Sequence, residues 1–347
     1  MLRKLTLSNF SVFGEAQISW AAGLNVIVGE NGTGKSQLMK LAYSLGWVSQ
    51  AQGLATRQTK DELQRRIADK IVGTCRPEYL GRMVSRKQGR NRCEVMVTFA
   101  SPAKSSFRFS FASNSRSEVK IEKMPEAYLA AAPVFIPTRE MLSIFPGFIA
   151  AYEARELEFE ETYYDIARAL NAAARKRRTA PVEAMIERIE KLLKGRIRLD
   201  AGRFYLLPDQ PGQGRIEMPL IAEGMRKLAM LAYLLMNGAL RDRGTLFWDE
   251  PETNLNPKLM VLVAEALVEL AKQGYQVVIA THSLFLLREL SIQIAKSQTP
   301  PDASFISLDR QEDGTVTVNQ TSTTEELDPL LMLDEDLRQS DRYLELP

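Results

Sequence analysis

The chain has 347 residues, 45% hydrophobic and 25% charged, with 45 Lys and Arg against 43 Asp and Glu for a net charge of +2. This is an ordinary soluble globular composition, long enough for two or three domains or one elaborated α/β domain, and the near-neutral balance names no partner by itself. Two cysteines, Cys75 and Cys93, make neither a disulfide framework nor a zinc-ligand spacing and fit a reducing cytoplasm; Met1–Leu7 lacks a signal peptide's apolar core, and no apolar run approaches the roughly 20 residues of a membrane span.

Residues 2–9 alternate, with Leu2, Leu5 and Leu7 against Arg3, Lys4 and Thr6, which predicts a strand, then a turn near Phe13-Gly14 and a second strand through Ala16–Trp20. Gly23–Val28 is a short apolar run, followed by Gly29-Glu30-Asn31-Gly32-Thr33-Gly34-Lys35-Ser36 and a helix-like stretch to about Ser49. The octet reads G-x-x-x-x-G-K-S, the phosphate-binding loop, between the strand and helix that such a loop requires. Asn31, Gly32, Thr33 and Gly34 can turn backbone N–H groups onto phosphates, Lys35 places a charge on them, and the Ser36 hydroxyl suits Mg²⁺.

Residues 50–90 are polar and helix-compatible, and Gly81–Arg92 carries Arg82, Arg86, Lys87, Arg90 and Arg92, either a solvated basic loop or a surface for a phosphate backbone. Cys93–Phe99, Ser106–Phe111 and Glu118–Lys123 predict an antiparallel meander; Pro133–Pro137 predicts a buried parallel strand ending in Thr138-Arg139-Glu140. From Phe148 to about Lys194 the apolar spacing is helical, interrupted at Pro181 beside the basic run Arg175–Arg178, a helix end facing water or a second phosphate contact. A hairpin around Asp200-Ala201-Gly202 precedes a helix opening at Glu223 and running to about Leu240.

Leu246–Trp248 predicts a buried strand that ends in Asp249 and Glu250, and Tyr275–Ala280 another that ends in Thr281-His282-Ser283. A helix follows each, over Lys258–Gln273 and Leu284–Leu290; two weak strands come after, and the last stretch, Glu325–Pro347, is acidic. Phosphoryl transfer needs a phosphate cradle, a Mg²⁺ ligand and a group that orients water. Asp249 suits Mg²⁺ together with Ser36, Glu250 suits the polarisation of water, and His282, the sole histidine, can donate to the γ-phosphate or to that water.

Gly29–Ser36, Asp249-Glu250-Pro251-Glu252 and Thr281-His282-Ser283, in that order, resemble the ABC-type ATPase heads of the structural-maintenance-of-chromosomes (SMC), RecF and overcoming-lysogenization-defect (OLD) proteins. The run Asp249–Pro257 is most similar to the short stand-alone ATPases related to the OLD family, and the likeness covers most of residues 1–310. It implies a P-loop NTPase of α/β class, with an ABC-ATPase-like mixed sheet, an antiparallel β meander and a helical lobe. Residues 1–320 would form one ATPase domain with the lobe inserted at about 140–217, and 321–347 an acidic C-terminal segment. It also implies ATP and Mg²⁺ as cofactors and a head-to-tail homodimer, or higher oligomer, with ATP sandwiched between subunits.

By position, Ile221–Lys227 is the segment that would reach the partner's γ-phosphate, through Gly224, Arg226 and Lys227; Ala222 stands where the family has a serine, and Thr138-Arg139-Glu140 where it has a glutamine. About 65 residues follow His282, too few for the nuclease domain of OLD proteins. The expectation is therefore a cytoplasmic ATPase switch of a bacterial anti-phage defence system controlling a separately encoded effector, a nuclease or a toxin. A RecF-like repair ATPase that clamps DNA is the alternative; a transporter motor fits poorly, lacking the signature serine, the glutamine and any membrane segment.

Overall fold

A computed structural model describes residues 1–85, 91–175, 177–240, 244–328 and 331–344, without the side chains of 331–334, 337 and 340. Arg86, Lys87 and Arg90 of the first basic segment, and Lys176 of the run Arg175–Arg178, lie outside the described residues. The chain runs β1 (Leu2–Phe10), β2 (Phe13–Ser19), β3 (Leu24–Gly29), α1 (Lys35–Gly53), α2 (Lys60–Cys75), β4 (Arg92–Phe99), β5 (Phe107–Ala112), β6 (Lys120–Lys123) and β7 (Val134–Ile136). It continues through α3 (Phe148–Glu153), α4 (Glu161–Leu170), α5 (Ala180–Leu193), β8 (Gly195–Asp200), β9 (Arg203–Pro208), β10 (Ile216–Glu217) and α6 (Glu223–Asn237). Last come β11 (Thr245–Asp249), α7 (Pro257–Lys272), β12 (Gln276–Thr281), α8 (Leu284–Ala295), β13 (Ala303–Arg310), β14 (Val316–Thr321) and α9 (Leu331–Leu344).

The apolar runs become the centre of a six-stranded sheet in the order β14-β13-β3-β12-β11-β7. All neighbours pair in parallel except β14, which runs antiparallel to β13. Continuous apolar runs are what a strand covered on both faces needs. Along β12, Val277 and Ile279 enter one core while Val278 and Ala280 enter the other, so period-2 alternation divides one strand between two hydrophobic layers. The first layer holds α6, α7 and the helical lobe. The second holds α1 and α2 beneath a five-stranded antiparallel sheet, β2-β1-β4-β5-β6.

Four expectations need correction. The first reversal falls at Ser11-Val12, not Phe13-Gly14, because Phe13 is fully buried in β2. The helical stretch after Phe148 is three helices, since Leu157 and Phe159 pack on the core from the segment between α3 and α4. Pro181 does not break a helix; it sits in the first turn of α5, where a missing N–H costs nothing. The helix after Ser283 runs on to Ala295 rather than ending near Leu290.

Charged contacts tie α1 to the lobe. Lys40 Nζ pairs with Glu160 at 2.5 Å, and the Tyr43 hydroxyl donates to Asp165 at 2.7 Å. Lys70 on α2, its side chain 2% exposed, pairs with Glu161 at 2.8 Å and Asp165 at 2.5 Å and lies 3.8 Å over the Trp47 ring. A buried ammonium needs such partners to offset its lost hydration.

Candidate nucleotide-binding site

The C-terminal ends of β3, β11 and β12 are neighbours in the sheet, so the three motifs meet at one edge. β3 ends at Gly29, where a Cβ would sit 2.7 Å from the Leu308 carbonyl oxygen. Gly34, at φ +87°, caps α1; a Cβ there would meet Val12 at 2.7 Å, so the β1–β2 turn can close over the loop only because glycine stands there. Thr33 Oγ1 donates to the Glu30 carbonyl at 2.9 Å, while Asn31 and Gly32 are exposed at the tip. Lys35 Nζ donates to the carbonyls of Gly29 at 2.7 Å and Glu30 at 2.9 Å. Burial lowers its pKa, opposed by the acidic Glu250, Asp249, Glu252 and Glu30.

Asp249 ends β11 at 5% exposure. Its Oδ1 is buried without a hydrogen-bond partner, and the Ser36 hydroxyl beside the carboxylate favours its charged form. Burial pushes its pKa up to about 6, with Ser36 and Lys40 pulling it back. An orphaned carboxylate oxygen beside a hydroxyl is a hard-oxygen donor set that fits Mg²⁺.

Glu250 has φ +48°, a left-handed conformation rare for a residue with a side chain. That bend leaves its N–H on the Ala280 carbonyl at 2.9 Å. Glu250 Oε2 accepts from Thr253 Oγ1 at 3.2 Å. His282 Nδ1 lies 3.4 Å from Glu250 Oε1 and 3.6 Å from Glu252 Oε1, and its side chain is 49% exposed.

The segment opening α6 sits differently from expectation. Lys227 is fully buried, and its Nζ donates to the carbonyls of Thr253 at 2.8 Å and Glu250 at 3.4 Å. Its ammonium holds the loop after β11 from beneath and is not presented to a second subunit; burial lowers its pKa. Gly224 is buried, and a Cβ there would meet Leu255 at 2.6 Å, so its glycine serves packing of α6 on the same loop. The Arg226 guanidinium donates through Nε to Glu140 Oε1 at 2.6 Å and through a second nitrogen to the Ile221 carbonyl. Ala222, the N-cap, is exposed.

Sequence reading missed two things at this edge. A cleft of about 730 Å³ beside the P-loop is lined by Ser11, Gln37, Arg76, Arg82 and Arg310, and the Arg310 guanidinium comes within 3.7 Å of where a Cβ on Gly32 would be. These residues are far apart in sequence and carry no motif. The ion pair of Glu140 is the other, since its partner Arg226 is 86 residues away in sequence.

The fold and the convergent motifs define a P-loop ATPase domain of the AAA type. The chain belongs to the family described as "AAA domain, putative AbiEii toxin, Type IV TA system", whose profile matches residues 101–288. A second profile, described as "AAA domain", matches residues 4–126. Among solved structures, an Smc head bound to the C-winged helix domain of ScpA superposes with TM-score 0.57 at 17% identity, over 93% of this chain and 98% of that one. An Smc head with an extended coiled coil, bound to the C-terminal domain of ScpA derived from Pyrococcus furiosus, gives TM-score 0.55 at 14% identity, over 97% and 99%. At those identities the likeness is one of fold. No curated protein sequence matches the chain significantly. Among the described residues, no helix is long and apolar enough to cross a membrane.

Proposed function

We propose that this chain binds and hydrolyses ATP with Mg²⁺ at the edge formed by β3, β11 and β12. The observation that carries the proposal is the convergence of Lys35, Asp249, Glu250 and His282 at that edge. Asn31–Ser36 cradle the phosphates, and Lys35 exchanges its two carbonyl partners for phosphate oxygens. Asp249 and Ser36 hold Mg²⁺, which when bound neutralises charge on the phosphates. Glu250 takes a proton from the attacking water as the water oxygen bonds to the γ-phosphorus and the bond to the β–γ bridging oxygen breaks. His282, half exposed beside Glu250, faces the same reacting group.

The finer reading is a switch. Residues 1–320 act as one ATPase domain with the lobe at 140–217, and two copies close head-to-tail around ATP. Arg226 and the N-terminus of α6 are the groups that would face the partner's nucleotide; Gly224 supports their position. Closure acts on a separately encoded effector of a bacterial defence system, engaged through the acidic segment 321–347, in a cytoplasmic complex. The family's AbiEii description and the ScpA-bound Smc heads support a partner of this kind. DNA is less favoured, because Arg82 pairs with Glu78 at 3.2 Å and Arg178 with Glu183 at 2.6 Å.

Phosphate release measured with Mg²⁺ and ATP tests the catalytic part. The wild type should turn over slowly, and Lys35→Ala should lose about tenfold or more in ATP affinity. A wild type that binds no ATP, or an unaffected Lys35→Ala, contradicts the assignment.

A further inference from the structure

Glu252 is the second acid of Asp249-Glu250-Pro251-Glu252, and nothing in the mechanism above uses it. It is 5% exposed, so a charge there has to be supported by specific partners. One oxygen carries them all. Oε1 accepts from the Thr281 hydroxyl at 2.6 Å and from the His282 backbone N–H at 3.1 Å, and lies 3.6 Å from His282 Nδ1. Oε2 is buried with no partner. The loop after β11 is thereby fastened to the loop after β12 at the residue that bears the imidazole. Thr281 extends the chain: its Oγ1 accepts from the Ser283 N–H at 3.0 Å, and Ser283 Oγ accepts from the Leu286 N–H at 3.2 Å to cap α8.

We infer that Glu252 is a positioning residue that fixes the orientation and tautomer of His282, holding Nδ1 between two carboxylates so that Nε2 is the nitrogen offered to the reacting phosphate or water. The physical reasons are four. Glu250 Oε1 at 3.4 Å and Glu252 Oε1 at 3.6 Å both favour a proton on Nδ1, because a carboxylate facing an imidazole nitrogen selects its N–H form. Ring geometry then leaves Nε2 on the side of the imidazole away from the two carboxylates, in a side chain that is half exposed. The backbone N–H of His282 is fixed by the same carboxylate oxygen, so the Cα of His282 and its ring are set by one group. Thr281 is fully buried, which keeps this contact dry and strong.

This inference rests on the reading of His282 as a functional group of the ATPase site, and the experiment separates the two. Glu252→Gln, His282→Ala and the double variant are compared with the wild type by steady-state ATP hydrolysis, with rates normalised to bound nucleotide so that unfolded protein does not count. In Glu252→Gln the amide oxygen can still accept from Thr281 and the His282 N–H, but the negative charge facing Nδ1 is gone. The expected result is a fall in kcat of about tenfold or more, KM for ATP within about twofold of wild type, and a double variant no slower than His282→Ala alone. Multiplicative losses in the double variant, or a wild-type kcat for Glu252→Gln beside a slow His282→Ala, would overturn the positioning role and leave the reading of His282 standing. A wild-type kcat for His282→Ala removes that reading and the inference with it.

Discussion

Arg226, in the first turn of α6, donates through Nε to Glu140 Oε1 at 2.6 Å, and the two side chains are only 15% and 3% exposed. The pair joins the opening of α6 to the segment after β7, where the sequence departs from the family's glutamine. Glu140 also accepts from the Ser143 backbone N–H at 3.1 Å through its other oxygen. Removing one partner of a buried ion pair strands the other, at a cost of about 3–5 kcal/mol. Arg226→Ala should therefore lower the free energy of unfolding in urea by that order and slow hydrolysis while ATP binding persists. A change below about 1 kcal/mol would mean that the pair does not hold α6 in place.

Asp249 gives a pH dependence whose sign is fixed. Its carboxyl is pushed from an ordinary 3.8 up to about 6, chiefly by burial. Between those values the folded state binds more protons than the unfolded state, so stability falls as pH rises through the window. At about 1.36 kcal/mol per pH unit the loss is roughly 3 kcal/mol above pH 6. Without Mg²⁺ and nucleotide, Asp249→Asn should be the more stable protein at pH 7–8, with the advantage fading towards pH 4. Thermal unfolding across that range checks it, and a pH-independent difference would contradict it.

The site was legible in the sequence where one strand end carries its own chemistry. Trp248 fully buried, then Asp249 and a left-handed Glu250, is a local pattern: an apolar run stops and the chain turns. The same holds for Thr281-His282 and for the glycines of the P-loop. What was not legible depends on residues distant in sequence. Lys227 reads as an exposed helix cation until the loop carbonyls of Glu250 and Thr253 are found beneath α6. Leu157 and Phe159 keep a helix-like spacing while lying between helices, because burial and not hydrogen bonding sets the pattern. Arg226 and Glu140 meet only because α6 and β7 flank the same edge.

The C-terminal segment divides into two parts. Leu327 is 5% exposed and belongs to the core, whereas Tyr343 and Leu344 on α9 are 74% and 80% exposed. α9 is tied to α8 through Arg288 and Asp336 at 3.3 Å, an exposed pair worth little. Truncation before Glu325, the boundary that composition alone places, would take a core residue away. Leu327→Ala should cost about 2–5 kcal/mol, but removal of residues 331–347 should leave the unfolding midpoint and ATP binding near wild type and abolish association with the effector. Retention of the complex by the truncated chain on size exclusion would show that the partner docks elsewhere.

The central claim is that Lys35 and Asp249 bind MgATP while Glu250 activates the water. The most direct measurement is the state of the nucleotide retained on Glu250→Gln after incubation with Mg²⁺ and ATP, resolved as ATP or ADP in the dimer fraction from size exclusion. The account predicts ATP, unhydrolysed, held on a dimer. Conversion to ADP at the wild-type rate would contradict it.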